Sequence, residues 1–259
     1  MEKKAISIEE RKKIQLEMLT ELDKFCRDHS LRYVLAYGTL LGAIRHKGYI
    51  PWDDDVDIIM PYEDMLYLKH HIDSELMYVV NAASKEYYPH PFPRLVHKGS
   101  FSKIGKRAKS HGVYIDLYVM IPCTENISKQ ALIVNRLKPL FNCWRLVNRA
   151  YLCLLRETNL RDMPGVQWLN RIYEKQFREK LRDNNGKNFF CISGPLRTYK
   201  NETFDYNLFE SIIDVDFENR KFMAPACYDK CLTQFYGDYM TPPPVDKQIP
   251  YHGGDFYWK

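Results

Sequence analysis

What these 259 residues lack narrows them first. No run approaches the roughly 18 consecutive apolar residues of a membrane span. The opening MEKKAISIEERKK is charged and has no apolar leader, so the expectation is a soluble, cytoplasmic protein. The seven cysteines (Cys26, Cys123, Cys143, Cys153, Cys191, Cys227, Cys231) are odd in number and scattered, and none form a C-x-x-C pair. A disulfide scaffold is therefore not expected. Cys227 and Cys231 lie four apart, but no second ligand pair has zinc-like spacing, and thiols packed on a helix face are the simpler reading. Internal repeats, low-complexity tracts, a Walker A Gly-Lys-Ser/Thr and recognised nucleic-acid motifs are all missing, and no nucleic-acid partner is expected. Apolar residues make up 45% of the chain, too many for a disordered one.

What is present begins with a capping box, Ser7 followed by Glu10, ahead of apolar residues at helical spacing. The spacing predicts a helix over residues 8–29. Apolar runs predict strands at 33–37, 56–60, 76–80, 94–97 and 112–121, with helices at 40–46 and 62–74 between them. From residue 128 the pattern is helical, with Pro139 expected to kink or divide the first helix. Further helices are expected at 166–181 and 225–236, then a Pro-rich surface coil from Thr241. Residues 129–187 hold 13 Lys/Arg against 5 Asp/Glu, which suggests solvated helix faces or an anionic partner such as a membrane surface.

Four carboxylates occur in the five residues Asp53-Asp-Asp-Val-Asp57, running straight into an apolar strand. Asp55 and Asp57 are two apart, which on a strand puts both on one face. At the edge of a core they repel one another and lose solvation, and a divalent cation would neutralise them. Asp116 stands alone in a second apolar strand. It would either complete a three-carboxylate metal site or pair with a buried Arg or Lys. Upstream, Gly38-Thr39 opens a helix after a strand, an arrangement suited to phosphate, and Arg45 could clamp a phosphate bidentately. Arg94 and Lys98 are candidate contacts to nucleotide phosphates or plain surface charge. Tyr87, Tyr88 and Phe92 form either a quaternary-ammonium cage or ordinary packing.

Glycines, an acidic pair on a strand and a later single acid match the pattern of the polymerase β-like nucleotidyltransferase fold. The stretch LAYGTLLGAIRHKGYIPWDDDVD over residues 35–57 resembles the signature of the LicD family, bacterial phosphocholine transferases related to fukutin-type enzymes. The Tyr-Gly-Asp-Tyr at 236–239 fits the same family, and the likeness is loose over 125–220. The resemblance implies a mixed α/β fold, with a nucleotidyltransferase core and N-terminal helix at 1–122. A mainly helical, basic part at 123–259 would complete the same catalytic unit. It further implies Mg²⁺-dependent (or Mn²⁺-dependent) transfer of a phospho-alcohol group from a CDP-activated donor, CDP-choline foremost. The acceptor would be a hydroxyl of a cell-surface glycan or its lipid-linked precursor, with CMP leaving. Asp55 and Asp57 would bridge the metals. Asp116 would hold the metal nearer the acceptor and receive its proton, Gly38 and Thr39 would cradle phosphates, and Arg45 would clamp charge. Choline, ethanolamine, glycerol and ribitol head groups all stay open, as does peripheral contact with the inner face of an anionic membrane. Two alternatives are a nucleotidyltransferase that uses an NTP and releases pyrophosphate, and a non-catalytic nucleotide or RNA binder.

Overall fold

The computed structural model describes residues 4–82, 84, 88, 90–104, 108–157, 164–192, 200–249 and 255–259. Helix α1 (Ile8–Asp28) starts where the capping box predicts: the Glu10 amide donates to Ser7 Oγ at 3.1 Å, and the Ser7 amide to Glu10 Oε2 at 2.9 Å. Its buried residues Ile14, Met18, Leu22 and Cys26 recur every four positions and face the core. Met18, Leu19 and Leu22 are fully buried, each worth about 1.5–3 kcal/mol.

The chain continues through β1 (Val34–Leu35), α2 (Tyr37–His46), β2 (Asp57–Pro61), α3 (Tyr62–His71), β3 (Met77–Val80) and β4 (Arg94–His97). Then come β5 (Ser100–Ile104), β6 (Ala108–Ser110) and β7 (Tyr114–Cys123). The main sheet has the order β1-β2-β7-β4-β3. Its central strand β7 runs parallel to β2 and antiparallel to β4. Burial explains the near-continuous apolar sequence of β2 and β7, and the fold is mixed α/β as expected.

The second half contains more strand than its sequence pattern predicts. Helices α4 (Ile127–Glu157) and α5 (Pro164–Leu181) are followed by β8 (Asn188–Ile192) and β9 (Thr203–Phe204). The hairpin β10–β11 (Ile212–Phe217, Arg220–Pro225), α6 (Tyr228–Tyr236) and β12 (Phe256–Trp258) complete the order. Strand β8 joins the main sheet beside the last five residues of β7, while β4 pairs with the first three on the same edge. The β10–β11 turn uses Glu218 and Asn219, both at positive φ (52° and 61°), which matches the twist of a tight hairpin. Helix α4 runs through Pro139 as one element. The proline is on its exposed side, where water can take the carbonyl left without a donor. Cys231 is buried on α6 and Cys227 caps that helix, both as free thiols.

Candidate functional site

Register builds the site. Asp57 is the first residue of β2 and pairs with Asp116 across the parallel β2/β7 ladder, while Arg94 pairs with Asp116 across β4/β7. Directly paired residues share a face of the sheet, so two acids and an arginine from three strands meet in one row. Asp55, just ahead of β2, joins them: Asp55, Asp57 and Asp116 each offer a carboxylate oxygen, all within 4.8 Å of one another. The three are buried, at 5%, 7% and 4% exposure.

The surrounding bonds hold this geometry. Thr39 Oγ1 accepts from the Asp57 amide at 2.9 Å, the Asp57 carbonyl accepts from the Ala36 amide at 3.0 Å, and the Asp116 amide donates to Val56 O at 2.9 Å. Arg94 grips Asp116 with two donors, Nε to Oδ1 and Nη2 to Oδ2, the latter at 3.3 Å. The guanidinium is stacked 3.8 Å from the Tyr114 ring centre, and its Nη1 donates to His90 Nε2 at 3.1 Å. Burial, reinforced by Arg94, holds His90 neutral, as that acceptor role requires. Asp116 thus belongs both to a carboxylate trio and to a buried ion pair.

Burial pushes the Asp57 carboxyl well above the carboxylate range, with repulsion from Asp55, Asp116 and Asp53 adding to it and a hydrogen bond from Tyr118 opposing. Asp57 Oδ1 is buried with no hydrogen-bond partner. Three hard oxygen donors with one orphaned among them fit a divalent cation of oxygen preference. Asp53 is pushed up to about 7, by burial first and by Asp55 second. Asp53, Asp54 and Asp55 form a second close trio, but Arg11 of α1 donates to Asp54 Oδ2 and spends that charge on anchoring the helix.

Asp53, Asp55 and Asp57 open onto a cleft of about 470 Å³, with Asp116 behind them. Tyr37, Gly38, Leu41 and Arg45 of α2 form one wall. Trp52, Asp53, Asp55 and Asp57 form the floor. The tail residues Tyr236, Asp238, Tyr239, Thr241, Pro243, Lys247 and Ile249 form the other wall. A Cβ at position 38 would run into the Asp53 carboxylate, so the glycine leaves that carboxylate its place on the floor. Tyr37 holds a non-glycine φ of +43° at the helix start. Its hydroxyl donates to Glu202, and its ring lies 5.0 Å from Tyr118 and 4.8 Å from Phe235. Arg45 Nη1 donates to Tyr239 O at 2.6 Å, tying α2 to the tail.

Of the residues singled out in the sequence, Asp55, Asp57 and Asp116 converge, Arg94 joins Asp116, and Gly38 and Arg45 line the cleft. Thr39 is buried off the cleft and grips the backbone of Asp57. Lys98 lies just past the far end of β4, where its ammonium donates to Ser74 O. Tyr88 is fully buried, its hydroxyl donating to Phe92 O at 2.6 Å, so it is packing, not cage; Tyr87 lies outside the described residues. The Tyr-Gly-Asp-Tyr at 236–239 is part of the tail wall, while Tyr37, Trp52, Lys247 and the rest of that wall were not found from the sequence. The tail carries Pro-rich coil and no charge pattern, and only the fold folds it over the acids.

Residues 30–141 match the domain family described as LicD/FKTN/FKRP, nucleotidyltransferase domain. Over 98% of its length the chain is 25% identical to the lipopolysaccharide cholinephosphotransferase LicD of Haemophilus influenzae, covering 99% of that protein. Shorter matches reach uncharacterised proteins of Rickettsia prowazekii and Rickettsia typhi, at 42% and 41% identity. Each spans 26% of this chain, and they cover 23% and 20% of those proteins respectively. The resemblance read from residues 35–57 is borne out.

Proposed function

We propose, from the LicD-type nucleotidyltransferase domain that this chain carries, that it is a phosphotransferase moving a phospho-alcohol group from a CDP-activated donor to a glycan hydroxyl. Phosphocholine is the leading group, because the full-length relative is a lipopolysaccharide cholinephosphotransferase. The observation that carries this reading is the convergence of Asp55, Asp57 and Asp116 beside a cleft large enough for a nucleotide.

Asp55, Asp57 and Asp116 would hold Mg²⁺ or Mn²⁺, which when bound neutralises the donor's diphosphate and acidifies the acceptor hydroxyl. The acceptor oxygen forms its bond to the distal phosphorus as the bond to the CMP oxygen breaks in line, and the hydroxyl proton passes to Asp116 or to water in the cleft. Arg45 and Lys247 are cations on the walls around an acidic floor, placed to take phosphate oxygens that the carboxylates would repel. Arg94 fixes the orientation of Asp116, and Thr39 fixes the backbone that carries Asp57. In this reading residues 123–259 complete the unit begun by 1–122, since β8 extends the sheet and the tail walls the cleft.

The test is product analysis with Mg²⁺ and CDP-choline, CDP-ethanolamine, CDP-glycerol or CDP-ribitol, using a lipopolysaccharide or glycolipid acceptor. The expected result is acceptor-dependent CMP release from one donor, lost in Asp57→Asn. Pyrophosphate release from an NTP, with no CMP from any donor, would replace this reading with nucleotidyl transfer. Nucleotide binding without turnover of either kind would leave a non-catalytic binder.

A further inference from the structure

The outer side of α4 takes no part in the cleft. Leu132, Pro139, Cys143, Leu146, Ala150 and Cys153, with Arg136 among them, follow one another at steps of three and four, which draws a single stripe along a helix. Every one of them is exposed. The opposite side of the same helix, Val134, Leu137, Trp144 and Asn148, is buried against the protein. Helix α4 therefore has an apolar side turned inward and a second, unpartnered one turned to solvent. Leu132 is 50% and Leu146 63% exposed. Helix α5 packs on that buried side, where Asn148 Nδ2 donates to Asn170 Oδ1 at 2.9 Å and Trp144 stacks on Tyr173.

Cations flank this apolar stripe. Lys138, Arg145 and Arg149 are exposed along one margin, and Arg136 lies in the stripe itself. Arg136, Arg145 and Arg149 pair with no acid among the described residues.

We propose that this face docks on an anionic lipid surface, with α4 in the plane of the interface. Leu132 and Leu146 reach the acyl boundary and the arginines lie among the head groups. The charge balance selects this occupant over a second copy of the chain. Thirteen basic residues against five acidic over 129–187 would repel their own copy, and Arg136 and Pro139 interrupt any helical seam. The exposed leucines select it over a nucleic-acid backbone, which would engage the arginines and leave the apolar stripe wet. The docking does not depend on which group the cleft transfers.

Co-sedimentation of the full chain tests this, with vesicles of phosphatidylcholine alone and of equal parts phosphatidylcholine and phosphatidylglycerol. The chain is expected to bind the mixed vesicles at low salt, to leave them at high salt, and to ignore neutral ones. Each cation at the surface contributes about fivefold, so R145E with R149E should weaken partitioning by about 25-fold or more. L132S with L146S should weaken it as well, while circular dichroism and the thermal midpoint stay unchanged. The inference is overturned by equal binding to neutral vesicles, by no vesicle binding, by a dimer in light scattering that Leu146→Ser dissolves, or by RNA displacing the vesicles.

Discussion

Replacing Asp57 by asparagine should make the metal-free protein more stable. Asp57 is buried, and its oxygen lies within 4.8 Å of those of Asp55 and Asp116. Two unit charges at that distance repel by about 3.5 kcal/mol at an effective dielectric of about 20. Arg94 offsets the Asp116 share, leaving Asp55 as the main opponent. An asparagine amide in the same place leaves a donor poorly matched, costing about 1–3 kcal/mol. The net gain is about 1–2 kcal/mol, a rise of roughly 2–8 °C in the thermal midpoint for a chain this long. The sign with pH follows from the carboxyl being raised in the folded state. Wild type loses stability as pH climbs from the unfolded carboxylate value near 4 up to the folded value, while the variant lacks that loss. Calorimetry in EDTA at about pH 5 and about pH 8 should therefore show the variant's advantage growing with pH. Millimolar Mg²⁺ should raise the wild-type midpoint and leave Asp57→Asn almost unmoved. A variant less stable than wild type in EDTA near pH 8, or one with the wild-type Mg²⁺ response, would refute the repulsion argument.

Arg94→Met strands the buried Asp116 charge, and urea denaturation should show a loss of about 3–5 kcal/mol in EDTA, with part recovered in Mg²⁺. Asp54→Asn leaves Arg11 unpaired at a buried site and should cost about 3 kcal/mol by the same assay, with no Mg²⁺ recovery. In Gly38→Ala the new methyl displaces the half-buried Asp53 carboxylate, and CMP release should fall about tenfold or more while the midpoint barely moves. Lys247→Ala removes an exposed cation from the cleft wall; donor KM should rise about tenfold with kcat unchanged, and an unchanged KM would take Lys247 off the donor.

The acids were legible because their chemistry is local. A carboxylate between Val56 and Ile58, or between Ile115 and Leu117, is costly wherever the strand goes, and the sequence alone exposes that cost. The pairing of Arg94 with Asp116 was not legible. It depends on which residue of β4 falls opposite β7, a register set by the whole sheet. The tail wall failed for a similar reason, since nothing in Thr241–Ile249 says what it will lie against. Strands β10 and β11 did carry a signal: Val215 and Phe217, then Phe222 and Ala224, are buried in alternation around a two-residue turn. Helix α1 was read to within a residue because a capping box is chemistry between near neighbours.

The Asp57–Asp116 register also makes any shared ligand of these two residues a cross-link between positions about 59 residues apart in the chain. Those ligands come together only after β7 has been laid beside β2, with α3, β3 and the β4–β6 strands already looped out between them. A cation at this point would tie a long closure of the sheet and be ignored by partly folded chains. Its stabilisation would report completed assembly of the central strand pair, and it could not rescue a substitution that keeps β7 from its place.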